Sequence, residues 1–126
     1  MSKGFLKVAE ELYELGKKSR GEKREFLFRS AISRAYYGVL WYIRDFYKLR
    51  ESEDLHKIVL KQIEKKHGLL VKKLFLELKY ARVDADYKKK NLKNLKLIDK
   101  NISGYYIKLA NVIIKYIERG LWWLRF

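Results

Sequence analysis

The sequence predicts an all-α protein, a single antiparallel bundle of four to five helices. Three observations favour this fold class. Apolar residues recur at helical spacing, glycines mark the ends of the apolar segments, and no run alternates apolar and polar residues with a period of two. A length of 126 residues fits one domain, so we expect residues 1–126 to form one unit with an aromatic tail at 121–126.

The first two helices are predicted at about residues 3–18 and 22–49. Gly16 and Gly21 mark the end of the first helix and the turn that follows it. The second helix is apolar over most of its circumference, which is typical of the central helix of a bundle. Its small residues, such as Gly38, would let a neighbouring helix approach closely.

Three more helices complete the pattern. The third is predicted to begin at Ser52, an N-terminal capping residue, and to end at Gly68. The fourth begins near Leu69 and loses its apolar pattern at about residue 87, where a loop or frayed extension is expected. The fifth covers about residues 101–119.

The chain is strongly basic and lacks cysteine. Its formal net charge of +15 attracts polyanions such as nucleic acid or an acidic protein, although a lysine-coated, solubilising surface would carry the same charge. The absence of cysteine excludes disulfide and thiolate chemistry and favours a cytoplasmic location. No stretch predicts a signal peptide or a membrane span, so no membrane partner is expected.

Two segments carry a family resemblance. Residues 29–38 read Arg-Ser-Ala-Ile-Ser-Arg-Ala-Tyr-Tyr-Gly, and residues 82–87 read Arg-Val-Asp-Ala-Asp-Tyr. They resemble the RSAxSRAYY and RxxADY motifs of the HEPN superfamily (higher eukaryotes and prokaryotes nucleotide-binding domain), in its small stand-alone prokaryotic branch. His56 opens the third predicted helix, where that branch often carries a histidine. The resemblance spans about residues 5–117 and implies a helical bundle, often dimeric, with a polar cleft.

The resemblance also implies partners. Proteins of this branch are similar to partners of minimal nucleotidyltransferases, which suggests a homodimer in a toxin–antitoxin-like system that binds RNA, a nucleotide or a nucleotidyltransferase. Many HEPN proteins are metal-independent RNases in which an arginine is followed four to six residues later by a histidine. No histidine follows Arg82 at that spacing. We therefore expect a non-catalytic binding module, with an RNase toxin and a structural assembly protein as alternatives.

The candidate site residues lie on the second helix, at the start of the third and at the end of the fourth. On the second helix a polar edge could bind phosphate and stack on a base, or Arg29 or Arg34 could pair with Asp86 to join two helices. Arg82 and Asp86 are one turn apart and can touch, which makes the carboxylate a poor general base. His56 lies near a helix N-terminus, whose positive end is expected to disfavour the protonated imidazole. It could act as a neutral acid/base residue or be an ordinary surface or half-buried side chain. The candidate binding residues are Arg29, Ser33, Arg34, Tyr37, Arg82, Asp86, Tyr87, Lys88, Lys89 and Lys90, and the catalytic candidates are His56, Arg82 and Tyr87, with Arg34 added in the RNase alternative.

Two further segments invite interpretation. Residues 88–100 hold six lysines in thirteen positions, which suits single-stranded nucleic acid, although such a charge run is usually a solvated loop. Trp122, Trp123 and Phe126 in the tail are predicted to form a dimer contact or to dock on the open end of the bundle. No metal site and no cofactor are predicted, because the two histidines are far apart and no ligand set has the required spacing.

Overall fold

The computed structural model describes residues 2–87 and 98–119, apart from the side chains of residues 2, 3 and 87. Every regular element in these ranges is an α-helix, so the predicted all-α fold class is confirmed for this part of the chain. The helices are α1 (Ser2–Lys17), α2 (Gly21–Phe46), α3 (Leu55–Tyr87) and α4 (Lys100–Arg119). Lys88, Lys89, Lys90 and the 121–126 tail lie outside the described residues.

Gly68 divides α3 into two helical arms, residues 55–67 and 69–87. Its backbone takes φ 87° and ψ −175°, a region that is essentially restricted to glycine. The sequence predicted two separate helices that meet at this glycine. The bend explains why the count can be given as four helices or as five.

The two arms of α3 fold back on each other. A straight helix would separate His56 from Arg82 by about 39 Å. Both side chains nevertheless contact the same residue, Tyr36 of α2. Near the bend, Lys72 Nζ lies 3.2 Å from Glu64 Oε2 and joins one arm to the other.

The long helices form an antiparallel, up-and-down bundle. In α1 and α2, Gly16 lies against Phe28 while Gly38 lies against Leu6, which places the two helices in opposite directions. A Cβ at position 38 would meet Leu6 Cγ at 3.2 Å, so the expected close approach at this glycine is confirmed. The second arm of α3 is in turn antiparallel to α2 and α4.

The first arm of α3 departs from this pattern because it runs parallel to α2. Tyr36 contacts His56, and Tyr47 contacts His67 eleven residues further along both segments. Residues 47–54 therefore carry the chain back along α2 before the arm begins. This return places the N-terminal end of the arm against the middle of α2.

Several element ends differ from the prediction. α2 ends at Phe46 and not at residue 49, because Lys48 takes a positive φ of 54° that a helix does not accept. Ser52 forms a turn before α3, which begins at Leu55.

α2 is the central helix, as its apolar circumference predicted. It packs against α1, α3 and α4. None of the described helices combines the length and the apolar character that crossing a membrane requires. The buried residues of α2 are Leu27, Phe28, Ala31, Ile32, Ala35, Tyr36, Gly38, Val39, Leu40 and Ile43.

Candidate functional site

A fully buried tyrosine, Tyr36 of α2, lies at the centre of the candidate site. Its hydroxyl oxygen lies 2.5 Å from Nδ1 of His56 in the first arm of α3, and the two rings are parallel to within 4°. Burial raises the pKa of the Tyr36 hydroxyl, so the group keeps its proton at neutral pH and can donate it to the imidazole. A buried tyrosine hydroxyl normally requires such a partner.

Arg82 reaches the same tyrosine from the second arm of α3. Its guanidinium carbon lies 5.2 Å from the centre of the Tyr36 ring and 5.4 Å from that of Tyr37. Nη1 of Arg82 lies 3.6 Å from Oδ2 of Asp86, and the Ser33 hydroxyl donates to that oxygen at 3.2 Å. The predicted contact between Arg82 and Asp86 is therefore confirmed. Two aromatic faces and a carboxylate hold this cation at the edge of the core.

His56 is held in its neutral form. Burial lowers the pKa of the imidazole, and the nearby charges of Arg82 and Lys79 lower it further. The sequence predicted a lowered pKa for His56, and this direction is confirmed. The causes are burial and two nearby cations rather than the helix N-terminus. When Tyr36 donates to Nδ1, the neutral ring carries its proton on Nε2. That N–H makes no hydrogen bond to the described residues and is available to an oxygen of a ligand.

Arg29 joins α2 to the end of α3. Its Nη1 donates to the carbonyl oxygens of Asp84 and Ala85 at 2.9 and 3.1 Å, and its Nε lies 3.6 Å from Glu25. The alternative interpretation, in which an arginine of this edge fixes two helices, thus describes Arg29. These acceptors are backbone carbonyls rather than the carboxylate of Asp86 that the sequence suggested.

The other predicted residues fall into three groups. Tyr37 and Ser33 join the cluster around Arg82. Arg34 is exposed and lies above the Phe5 ring of α1, and no described contact connects it to Arg82. The Tyr87 side chain and the lysines at 88–90 lie outside the described residues.

The sequence analysis did not predict the two tyrosine–histidine hydrogen bonds of the structure, which Tyr36 and Tyr47 make. Tyr36 lies in the second helix, which was predicted to be apolar over most of its circumference, although a buried tyrosine needs a polar partner for its hydroxyl. The second pair joins the Tyr47 hydroxyl to Nε2 of His67. His67 is buried, and its Nδ1 has no hydrogen-bond partner among the described residues. Each tyrosine precedes its histidine by 20 residues, a spacing that acquires meaning only with the parallel arm.

The charges of the cluster favour an anion over a metal ion. Arg82 and Lys79 both lie close enough to His56 to lower its pKa. Within residues 2–87 and 98–119, no group of three or more acidic, histidine or cysteine side chains could hold a metal. The arrangement therefore offers N–H donors and aromatic faces, the groups that recognise phosphate and bases.

Comparison of the chain with protein-family models, curated proteins and solved structures found no match. The resemblance to the HEPN superfamily stays a prediction. The two motif-like segments do meet in the structure, because Ser33 and Tyr37 of residues 29–38 contact Asp86 and Arg82 of residues 82–87.

Proposed function

We propose that this chain is a HEPN-like binding module for RNA or a nucleotide, acting through Tyr36, Tyr37, His56 and Arg82, here called the Tyr36 cluster. One observation carries the proposal: the Arg82 guanidinium lies over the Tyr36 and Tyr37 rings, and the His56 imidazole contacts the same Tyr36 through Nδ1, which leaves Nε2 without a hydrogen bond to the described residues. Phosphate oxygens accept from such donors, and a half-buried tyrosine ring such as Tyr37 can stack on a base. The net charge of +15 would draw polyanions to the surface.

Binding without cleavage fits the cluster better than catalysis. RNA cleavage without a metal requires one group to accept a proton and another to supply one. The Asp86 carboxylate is already engaged by Arg82 and by the Ser33 hydroxyl, and the hydroxyl of Tyr36 is buried with a raised pKa. Among the described residues, His56 alone of the cluster has an acid/base group suited to neutral pH.

The RNase alternative keeps one specific observation in its favour. His56 and Arg82, two of its four named residues, meet at Tyr36 although 26 positions separate them in the chain. Arg34, a third, is placed elsewhere. A homodimer, a cytoplasmic location and a nucleotidyltransferase partner in a toxin–antitoxin-like system belong to the main proposal and rest on sequence alone.

One gel tests both functions. Purified protein is incubated with a mixed pool of labelled single-stranded RNA in EDTA, and retardation and cleavage are measured together. We expect retardation without cleavage, and loss of retardation in His56→Ala. Cleavage that disappears in Arg82→Ala would establish the RNase instead. No binding of either RNA or a labelled nucleotide would overturn the proposal.

A further inference from the structure

A stripe of cations and rings runs along the partly exposed side of α2. Arg34, Tyr37, Trp41 and Arg44 follow one another at intervals of three or four residues and therefore share one face of the helix. Arg34 is exposed and the other three are half-buried. The stripe is about 15 Å long, several times the step of about 3.4 Å between neighbouring nucleotides in a stacked strand.

Ring contacts make this stripe continuous with the Tyr36 cluster. The Tyr37 and Trp41 ring centres are 5.5 Å apart, and Trp41 meets Phe5 of α1 edge-to-face at 4.4 Å. At the other end, Tyr37 lies 6.3 Å from the His56 ring. A row of half-buried rings thus leads from the first arm of α3, across α2, to α1.

The arginines give this row an uneven charge. The Arg44 guanidinium lies over Trp41 at 5.9 Å, but Asp45 and Glu51 bind it at 2.9 and 2.6 Å and offset its charge. Arg34 lies over the Phe5 ring and makes no ion pair with the described residues. Its charge faces solvent, so Arg34 adds a positive charge at the Phe5 end of the row.

We propose that this stripe binds single-stranded RNA several nucleotides long, with Trp41 and Phe5 stacking on bases and Arg34 contacting the backbone. The inference rests on the proposed function and extends it from the Tyr36 cluster to a path. Rings accept any base by its face, and base faces are accessible in a single strand but hidden in a duplex. A mononucleotide carries a single base and could therefore engage only one ring of this row.

The test compares affinities by fluorescence anisotropy of a labelled RNA octanucleotide, with a duplex RNA and AMP as competitors. Trp41→Ala is expected to weaken octanucleotide binding by about 5- to 100-fold, the loss of one stacked base. Arg34→Ala is expected to lower the slope of log affinity against log salt by about one. The matched controls are Tyr105→Ala, an exposed ring on α4, and Arg20→Ala, an exposed arginine before α2. Neither control should change the binding.

The outcomes separate this inference from the proposed function. A wild-type chain that binds neither RNA nor AMP overturns both. Binding that His56→Ala abolishes but that Trp41→Ala and Arg34→Ala leave at control levels overturns the stripe alone. A Trp41→Ala chain that changes from dimer to monomer with unaltered RNA affinity would assign the stripe to a second copy of the chain. If Trp41→Ala loses helical structure by circular dichroism, the exposed Arg34→Ala variant decides the question.

Discussion

The hydroxyl oxygen of Tyr36 lies 2.5 Å from Nδ1 of His56, across the contact between the central helix and the parallel arm of α3. The pair engages one ring nitrogen and leaves Nε2 for other partners. Arg82 reaches the same tyrosine because the chain reverses at Gly68. The chemistry of the cluster therefore depends on the unusual direction of one short arm.

Removing the Tyr36 hydroxyl tests the energetic value of this pair. Tyr36→Phe keeps the buried ring and leaves Nδ1 of His56 without its partner. We expect the free energy of unfolding to fall by about 1 kcal/mol, the usual net value of one hydrogen bond. Urea denaturation measures it, with Tyr80→Phe as the control because Tyr80 is 61% exposed. Equal stability of the two variants would show that the hydrogen bond contributes nothing.

The charge of Arg82 is expected to act on His56 and not on His67. Arg82 lowers the pKa of His56, whereas burial alone lowers that of His67. Arg82→Met should therefore raise the pKa of His56 and leave that of His67 in place. An NMR titration of the ring protons follows both, since the chain has two histidines. Equal shifts at the two positions would point to a general loosening of the fold.

The two histidines also predict how stability depends on pH. Both have a pKa in the folded chain below the usual 6.5, so the unfolded chain takes up protons first as the pH falls. Their contribution is therefore fully present above pH 6.5 and is lost as the pH falls from 6.5 through the folded-state pKa values. Urea midpoints measured between pH 5 and 8 should decline in this window. His67→Gln should flatten the decline, and an unchanged slope would exclude His67 as its source.

Gly68 is expected to be costly to replace. A Cβ at this position would meet nothing within 4 Å, so any cost of Gly68→Ala comes from the backbone, whose φ of 87° alanine resists. We expect a loss of about 1–3 kcal/mol in the free energy of unfolding. Gly4→Ala, on the exposed part of α1, is the control and should gain up to about 1 kcal/mol from helix propensity. A neutral Gly68→Ala would mean that the bend tolerates another conformation.

The sequence was sufficient to predict where the helices lie, because apolar periodicity and helix-ending glycines are both features of a single segment. The interruption at Gly68 and the central position of α2 both follow from patterns within a single segment. The direction of residues 55–67 does not, because an apolar stripe shows that a face is buried without showing against which helix. The parallel arm depends on the path of residues 47–54, whose sequence does not show that the chain turns back along α2.

The candidate site was predictable only where its contacts are local. Arg82 and Asp86 lie one turn apart, and their contact followed from that spacing. Tyr36 was missed because its position in an apolar stripe gives no sign of the histidine that another segment supplies. Arg34 was grouped with Arg82 in the RNase alternative, yet helix packing places it against α1.

The most direct test of the central claim observes His56 itself while RNA is added. His56 and His67 lie in the same arm, about 16 Å apart, so one signal reports on the Tyr36 cluster and the other serves as an internal control. We predict that single-stranded RNA in EDTA shifts the His56 ring signals and raises its pKa, because a phosphate stabilises the protonated ring, while the His67 signals stay in place. RNA that binds without moving the His56 signals, or that moves both histidines equally, would contradict the assignment of the Tyr36 cluster as the binding site.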